Sequence, residues 1–405
     1  MNDGVVVTGM AAFSPFGRGL DALWAGLLAA QPAAHEVTRF NVDHWVYRNR
    51  KAATIEELPA EDGGVSETYA RDFVRALGAD LRANASIVEG DVPRHDVALI
   101  LGSSQSGLTD RFQSYIQLRM GRRSDVVSDG TLEWMHSAPW LTVLSAELGV
   151  GGPAYMVSTA CTSGTSSIGR AYELVKSGRA VRAYAGGLGY FSEISYSGFN
   201  ILKLIGKTGC RPFDRTRDGL MLGDAFALVA LERESFARER GAQILARIVG
   251  YGTGNEAYHA TAPDPSGEVA LRVMRAALGD EDNVARLDYI NAHGTGTLAN
   301  DSAELNAIRR LLEARPDPGA VSISSTKGHH GHALGAAGSI EFVVTVLAMR
   351  HGIVPPNVGL VEPTAEARGL DLVLGSPRKR PIGLALSNSL AFGGDVAAIA
   401  IEAVA

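Results

Sequence analysis

The chain has 405 residues, of which 46% are hydrophobic and 20% are charged, and its formal net charge is −6 at pH 7. This composition is typical of a globular protein, and the acidic balance gives no support to a general role in binding nucleic acid or membrane surfaces. No apolar stretch approaches the ~20 residues of a membrane-spanning helix, and residues 1–12 lack the basic segment of a secretory signal. We therefore expect a cytoplasmic protein.

Short apolar runs that stop at glycine or at a polar turn predict buried strands in the first half of the chain. These runs are Val5–Val7, Val97–Leu101, Met156–Thr159 and Ala183–Ala185. A helix-like stretch, Ser163–Lys176, follows the third of them, and residues 50–67 have the polar composition of a surface loop. Strands that alternate with helices indicate an α/β fold.

The second half repeats the pattern, with predicted strands at Ala246–Gly252, Leu287–Ala292, Val321–Ser325, Leu384–Ser387 and Val396–Glu402. A helix is predicted at Ala303–Leu312 and a surface loop at 313–319. Three of these strands end in polar, glycine-rich turns that carry His293, Lys327 and Asn388. Because both halves show the same succession of strand, turn and helix, we predict an internal duplication that divides near residues 235–250, with halves at 1–245 and 246–405.

The chain has two cysteines, Cys161 and Cys210, which lie far apart and predict neither a disulfide framework nor a metal-ligand cluster. Cys161 follows a predicted strand and precedes a predicted helix, within the small-residue segment 158–165. A cysteine at a helix N-terminus lies in the positive end of the helix dipole, which favours the thiolate. The alternative for this residue is a buried structural cysteine.

His293 lies at a strand end and is followed by Gly-Thr-Gly-Thr at 294–297. The glycines admit close approach of a ligand and the hydroxyls can hydrogen-bond to it, although a histidine satisfied within the core is the alternative. Lys327 opens a second histidine-rich turn that contains His329, His330 and His332. These histidines invite a zinc interpretation, but no acidic or cysteine ligand accompanies them at a familiar spacing, so we expect no metal.

Together these segments resemble the β-ketoacyl-[acyl-carrier-protein] synthases, the elongating enzymes of fatty-acid and polyketide synthesis. The resemblance extends from residues 5–9, Val-Val-Val-Thr-Gly, through the Cys161 segment and the turns at 211–224, 291–297 and 325–338 to residues 392–394, Phe-Gly-Gly. The order and the plausible spacing of these motifs make the resemblance specific. It implies a thiolase fold, with two pseudo-symmetric α/β halves that form a five-layered α-β-α-β-α core, and an obligate dimer.

The resemblance also implies a role for each residue. Cys161 would be the nucleophile that takes an acyl chain from acyl carrier protein, and the backbone N–H groups of Cys161 and Phe392 would form the oxyanion hole. His293 and His332 would drive decarboxylation of the malonyl unit and stabilise its enolate, and Lys327 would tune the electrostatics around His332. No cofactor would be required. The threonines expected to contact the pantetheine arm are Thr261, Thr295 and Thr297.

Several positions depart from the family pattern and favour a specialised polyketide or polyene pathway over housekeeping fatty-acid synthesis. Leu390-Ala391 stands where the family usually has Phe-Gly in the loop that gates the acyl pocket with Phe392, and Asp395 changes the charge close to it. Gln105 places an amide where an apolar pocket residue is common. The segment 133–136, Glu-Trp-Met-His, is unusually polar and aromatic for its expected place near the pocket or the dimer interface.

The acidic carrier protein is expected to dock on a basic patch that includes Arg122, Arg123 and Lys203, for which ordinary solvated charge is the alternative. The dimer could be a homodimer or a heterodimer with a chain-length-factor-like subunit. Competing assignments are a housekeeping fatty-acid synthase, a thiolase, and a non-catalytic partner subunit. A thiolase would need a second cysteine in the late glycine turn, and a non-catalytic subunit would lack Cys161.

Overall fold

The computed structural model describes residues 3–43, 47–56, 67–104, 138–313, 315 and 317–404, without the side chains of 67–71 and 138. Gln105, Arg122, Arg123 and the segment 133–136 lie outside the described residues.

The first half of the chain contributes five strands to the sheet: β1 (Val5–Ser14), β2 (Val97–Gly102), β3 (Ala154–Val157), β4 (Arg182–Gly189) and β5 (Ala225–Arg233). Their spatial order is β3-β2-β4-β5-β1. Strand β5 runs antiparallel to both of its neighbours, whereas β4, β2 and β3 run parallel to one another.

The second half contributes β6 (Ala246–Asn255), β7 (Tyr289–Asn291), β8 (Ser322–Ser324), β9 (Leu384–Leu390) and β10 (Asp395–Glu402). They lie in the order β8-β7-β9-β10-β6, with the same succession of antiparallel and parallel pairs. Residues Val5–Val7 of β1 pair with 246–248 of β6 and join the two sets. This repeated strand order is the internal duplication expected of a thiolase fold; a boundary at 245/246 stays a prediction.

The helices are α1 (Leu20–Leu28), α2 (Glu67–Asn84), α3 (Ala138–Leu148), α4 (Ser163–Lys176), α5 (Glu193–Ile201), α6 (Glu234–Glu239), α7 (Glu268–Leu278), α8 (Glu281–Arg286), α9 (Leu298–Leu312), α10 (Lys327–His330) and α11 (Ala337–His351). Two-residue strands lie at Gly17–Arg18, His35–Glu36, Lys51–Ala52, Ile353–Val354, Asp371–Leu372 and Arg378–Lys379.

Three helix layers alternate with the two strand sets. Helices α4 and α11 pack on each other between the sets, and every residue from Ala337 to Met349 is buried. A helix that is apolar on all sides is stable only inside a core, which explains the central place of α11. Helices α2 and α3 cover the outer face of the first set, and α7 and α9 cover that of the second. An apolar cluster fills the space between each pair of neighbouring layers. This packed core fixes the positions of the strand ends, where the polar residues lie close together.

Two expectations about local structure are wrong. Residues 50–67 are predicted to form a surface loop, but in the described part of this segment Ala53 and Ile55 are buried, because Ala53 pairs with Gly223 and the Ile55 N–H donates to Asp224 at 2.8 Å. Residues 57–66 lie outside the described residues. Asn388 does not lie in a turn, because β9 continues to Leu390. Its amide donates to the buried Glu304 carboxylate at 2.8 Å, which satisfies a polar group that would otherwise oppose burial.

Within the described residues, no helix combines the length and the apolar character needed to cross a lipid bilayer.

Candidate active site

The turn before α4 presents Cys161. Ala160 adopts φ +49°, in the left-handed region that side chains rarely occupy, and a short 3-10 turn at Ala160–Thr162 leads into the helix. Two hydroxyls hold this conformation: Ser163 Oγ accepts from the Thr159 N–H at 2.9 Å and donates to the Ala160 carbonyl at 2.6 Å, while Thr162 Oγ1 donates to the Thr159 carbonyl at 2.7 Å. The surrounding bonds therefore stabilise a backbone conformation that would be strained alone.

Burial governs the ionisation of Cys161. It raises the pKa of the thiol to about 11, against the opposing effects of the Lys327 charge and of the backbone N–H groups of Phe392 and Cys161. This net rise runs against the expectation that the helix position favours the thiolate, because burial of the sulfur outweighs the effects that lower its pKa. The backbone N–H groups of Phe392 and Cys161 thus act on the Cys161 sulfur, and their role as an oxyanion hole stays a prediction.

His293 follows β7 and is fixed from both sides. The backbone N–H groups of His293 and Gly294 each donate to the Glu304 carboxylate at 2.7 Å. Lys327 Nζ lies 3.1 Å from His293 Nδ1 and 2.6 Å from the His293 carbonyl. Because an ammonium group can only donate, Nδ1 accepts, and the ring proton lies on Nε2. Burial, followed by the charge of Lys327, lowers the pKa of His293 well below its usual value, so the ring is neutral.

His332 has the same tautomer, which a different hydrogen bond fixes. Its Nδ1 accepts from the Leu334 N–H at 3.2 Å, so its proton also lies on Nε2, and its own backbone N–H donates to the Met221 carbonyl at 2.7 Å. The His293 and His332 rings meet edge to face, with centroids 5.3 Å apart and planes at 84°. Burial and the Lys327 charge lower the pKa of His332 well below its usual value. The site thus holds two neutral imidazoles that can each donate from Nε2.

Lys327 was expected to act around His332, but its direct hydrogen bonds go to His293, and its charge lowers the pKa of both rings. It forms a fully buried ion pair with Glu341 of α11. Sequence reasoning missed Glu341 and Glu304. One signal was available for Glu341, a single acidic residue within the apolar stretch of α11, whereas Glu304 lies in a predicted helix with no distinguishing pattern.

A cavity of about 390 Å³ opens onto these groups. Its lining includes the predicted residues Cys161, Lys203, Thr261, His293, Thr295, Thr297, His332, Leu390, Ala391 and Phe392. The hydroxyls of Thr295 and Thr297 lie 2.8 Å apart. Phe392 stacks on Phe199, which sequence reasoning did not identify, with centroids 5.6 Å apart. The cavity therefore brings the predicted nucleophile, both histidines and the gate residues together, whereas Lys327 supports the site from behind.

His329 and His330 do not face this cavity, and within the part of the chain that the structure describes no cluster of three or more His, Cys, Asp or Glu side chains is placed to hold a metal ion.

A cysteine and two histidines that converge at the strand ends of a duplicated α/β fold define a condensing enzyme of the thiolase fold. The family model of the β-ketoacyl synthase N-terminal domain matches residues 2–237, and that of the C-terminal domain matches residues 245–361. The chain is 35% identical to a 3-oxoacyl-[acyl-carrier-protein] synthase 2 of Rhizobium meliloti (strain 1021), over 98% of both chains.

Solved structures agree on the fold. The ishigamide ketosynthase/chain length factor is 26% identical with a TM-score of 0.89, and a type II PKS ketosynthase solved with its acyl-carrier protein is 24% identical with a TM-score of 0.90; each comparison covers 100% of both chains. The chain therefore belongs to the β-ketoacyl synthase family, as the sequence motifs predicted. It is an acyltransferase that forms a carbon–carbon bond.

Proposed function

We propose that the chain condenses an acyl group held on Cys161 with malonyl-acyl carrier protein and releases β-ketoacyl-acyl carrier protein. The observation that carries this proposal is the convergence of the Cys161 sulfur and two neutral histidines, His293 and His332, on one cavity. A thiol suits the task because it is both a good nucleophile and a good leaving group in thioester exchange.

In the loading step, the Cys161 sulfur attacks the acyl thioester and the pantetheine sulfur leaves. The thiol proton passes to the departing sulfur, so exchange is neutral in protons and does not require a resting thiolate. The backbone N–H groups of Cys161 and Phe392, which act on this sulfur, would hold the tetrahedral oxyanion.

In the condensing step, the bond between the malonyl carbon and its carboxylate breaks and CO₂ leaves, and the electron pair moves onto the thioester oxygen as an enolate. The Nε2–H groups of His293 and His332 donate to that oxygen. The enolate carbon then attacks the acyl carbon on Cys161, and the cysteine thiolate leaves and is reprotonated. Neutral donors suit this step because they stabilise developing charge without transferring a proton to the enolate carbon. We propose that no metal or organic cofactor takes part.

The carrier protein and its pantetheine arm would enter past Thr261, Thr295 and Thr297, which line the cavity, with Lys203 at the mouth as one docking contact. Acyl carrier protein as a partner is supported by the names of the relatives. A role for Arg122 and Arg123 stays a prediction, because both lie outside the described residues.

We propose that the chain works as a dimer, with a second copy or with a chain-length-factor-like subunit. Among the described residues β3 is the last strand of its set, and Ala154 and Tyr155 on it are exposed. An open strand edge is a ready template for pairing with another chain.

We propose a specialised polyketide or polyene chain as the substrate. Leu390 and Ala391 line the cavity in place of the usual Phe-Gly, and Asp395 lines it as well. The second candidate is housekeeping fatty-acid elongation, which the 35% identical relative favours by its name. A competition assay between saturated and polyunsaturated or β-oxygenated acyl carrier proteins separates the two. Equal or better kcat/KM for saturated chains would rule out the specialised substrate.

The central test measures loading and decarboxylation separately. Intact-mass analysis with acyl carrier proteins should find the adduct on Cys161 and none in Cys161→Ala. His293→Ala and His332→Ala should still load an acyl chain but lose malonyl decarboxylation by about 10²–10³-fold, as removal of an oxyanion donor does in other enzymes. An adduct on Cys210, or normal decarboxylation in either histidine variant, would overturn the assignment.

A further inference from the structure

The four-residue turn α10 carries a support for each of the two site histidines. Its first residue, Lys327, contacts His293 as described above. Its last residue, His330, is fully buried and does not line the cavity, so the condensation mechanism gives it no direct part. What it contacts is the peptide bond that leads into His332.

The hydrogen bonds of His330 fix its tautomer. Its Nδ1 lies 2.9 Å from the Gly331 carbonyl, which can only accept, so Nδ1 carries the ring proton. Its Nε2 lies 2.9 Å from Thr326 Oγ1 and, in a neutral ring, accepts the hydroxyl proton. Burial, followed by the neighbouring His329 and the charge of Lys327, lowers the pKa of His330 to about 3, so the ring stays neutral.

The backbone of Gly331 has a conformation that only glycine can adopt at this position. It has φ +72°, and a Cβ there would lie 2.8 Å from the Leu222 carbonyl oxygen. Its carbonyl belongs to the Gly331–His332 peptide, whose N–H donates to the Met221 carbonyl at 2.7 Å. The His330 ring therefore holds one side of that peptide plane and the Met221 carbonyl the other. The plane sets where the His332 side chain leaves the backbone.

We propose that His330 is a positioning residue, which fixes the Gly331–His332 peptide so that the His332 Nε2–H points at the reacting oxygen. The inference rests on the proposed function only in that it takes His332 as a donor in decarboxylation. It adds a buried relay from the Thr326 hydroxyl, through the His330 ring and the Gly331 carbonyl, to the His332 ring.

Two amide substitutions separate the roles of the two ring nitrogens of His330. Asparagine places its amide nitrogen where Nδ1 lies, so His330→Asn can keep the bond to the Gly331 carbonyl. Glutamine places its amide near the Nε2 position, so His330→Gln keeps a group near Thr326 and loses the Gly331 bond. We expect His330→Gln to lower the kcat of malonyl decarboxylation about five- to tenfold, the effect of one neutral hydrogen bond. We expect His330→Asn to stay within about twofold of the parent.

The readouts are the decarboxylation kcat and KM, acyl loading on Cys161, and thermal denaturation of each variant. Loading should be unchanged in both, because it does not use His332. Three results would each overturn the proposal: equal decarboxylation by both variants and the parent, an equal loss in His330→Asn and His330→Gln, or a parallel loss of loading. His332→Ala distinguishes failure of the proposed function from failure of this inference. Normal decarboxylation by His332→Ala would contradict the proposed function. Normal decarboxylation by His330→Gln, together with an inactive His332→Ala, would contradict only the role of His330.

Discussion

The buried ion pair between Lys327 and Glu341 makes Glu341→Gln an informative substitution. Both side chains are 0% exposed, and the remaining contacts of the Lys327 ammonium are the carbonyl and Nδ1 of His293. Glutamine keeps the shape of glutamate and removes the charge, so the ammonium is left in the core without a counter-charge. Breaking a buried pair in this way costs about 3–5 kcal/mol, and because the amide oxygen still accepts a hydrogen bond we expect about 3 kcal/mol.

A surface pair provides the matched control. Arg170 and Glu173 lie one helical turn apart, with N···O at 2.8 Å and about half of each side chain exposed. Glu173→Gln should change the free energy of unfolding by less than about 0.5 kcal/mol, because water screens such pairs. The measurement is the shift of the urea midpoint for each variant. A Glu341→Gln shift no larger than that of Glu173→Gln would refute the reasoning.

The double variant Lys327→Met/Glu341→Leu then separates stability from catalysis. Replacing both charges with apolar groups of similar size should restore most of the lost stability, since no unpaired charge remains. Decarboxylation by the double variant should stay well below that of the parent, because His293 Nδ1 has lost the ammonium that fixes its tautomer. Recovery of both quantities would show that Lys327 serves packing alone.

Three further outcomes are expected. The rate of iodoacetamide labelling of Cys161, followed by mass spectrometry, should keep rising above about pH 9. Burial raises the pKa of the thiol to about 11, and the thiolate fraction grows until the pH passes that value. A labelling rate that reaches a plateau below about pH 9 would contradict the raised pKa. Gly338→Ala should lower the free energy of unfolding by about 1–3 kcal/mol although alanine favours helices, because the new Cβ would lie 1.9 Å from Thr165 Oγ1. The control, Gly198→Ala, places a Cβ that has no atom within 4 Å, so it should be neutral or stabilising in thermal denaturation. Lys203→Glu should raise the KM for acyl carrier protein, and more so at low salt; a KM that does not respond to salt in either protein would argue against charge steering at this position.

The local parts of this fold could be predicted because they depend on neighbouring residues. Ser163–Lys176 is a helix with the predicted bounds, and Val97–Leu101 and Ala183–Ala185 lie within the strands β2 and β4. Apolar runs bounded by glycine are a signal that the sequence carries locally and that can be recognised without knowledge of tertiary contacts. The same reasoning found the turns that carry Cys161 and His293, since in each case the residue follows an apolar run and precedes small or glycine-rich residues.

The supporting residues could not be predicted, because their roles depend on contacts between distant segments. Glu304 accepts from the backbone of His293 and from the amide of Asn388, which no sequence pattern links to it. The position of Cys161 at a helix start favours the thiolate, but burial of the thiol outweighs this effect and raises its pKa. Dipole effects can be inferred from sequence order, whereas desolvation requires the packed structure.

The duplication explains how two similar turns provide different chemistry. Ala160 and Leu334 have φ of +49° and +50°, each opens a 3-10 turn that leads into a central helix, and these two turns pack on each other. In this correspondence Gly335 takes the place of Cys161, and only glycine fits there, because a Cβ would lie 2.2 Å from the Ser104 amide nitrogen. The second turn therefore cannot present a nucleophile.

That second turn contributes instead through His332, three residues before Gly335. Both turns lead into central helices: α4 begins two residues after Cys161, and α11 begins five residues after His332. In the proposed mechanism, a negative charge that develops near these helix N-termini, on a tetrahedral oxyanion or on an enolate oxygen, would be stabilised from both halves. A single unduplicated half would supply one helix end and either the thiol or the histidines, so the condensing site requires the two halves together.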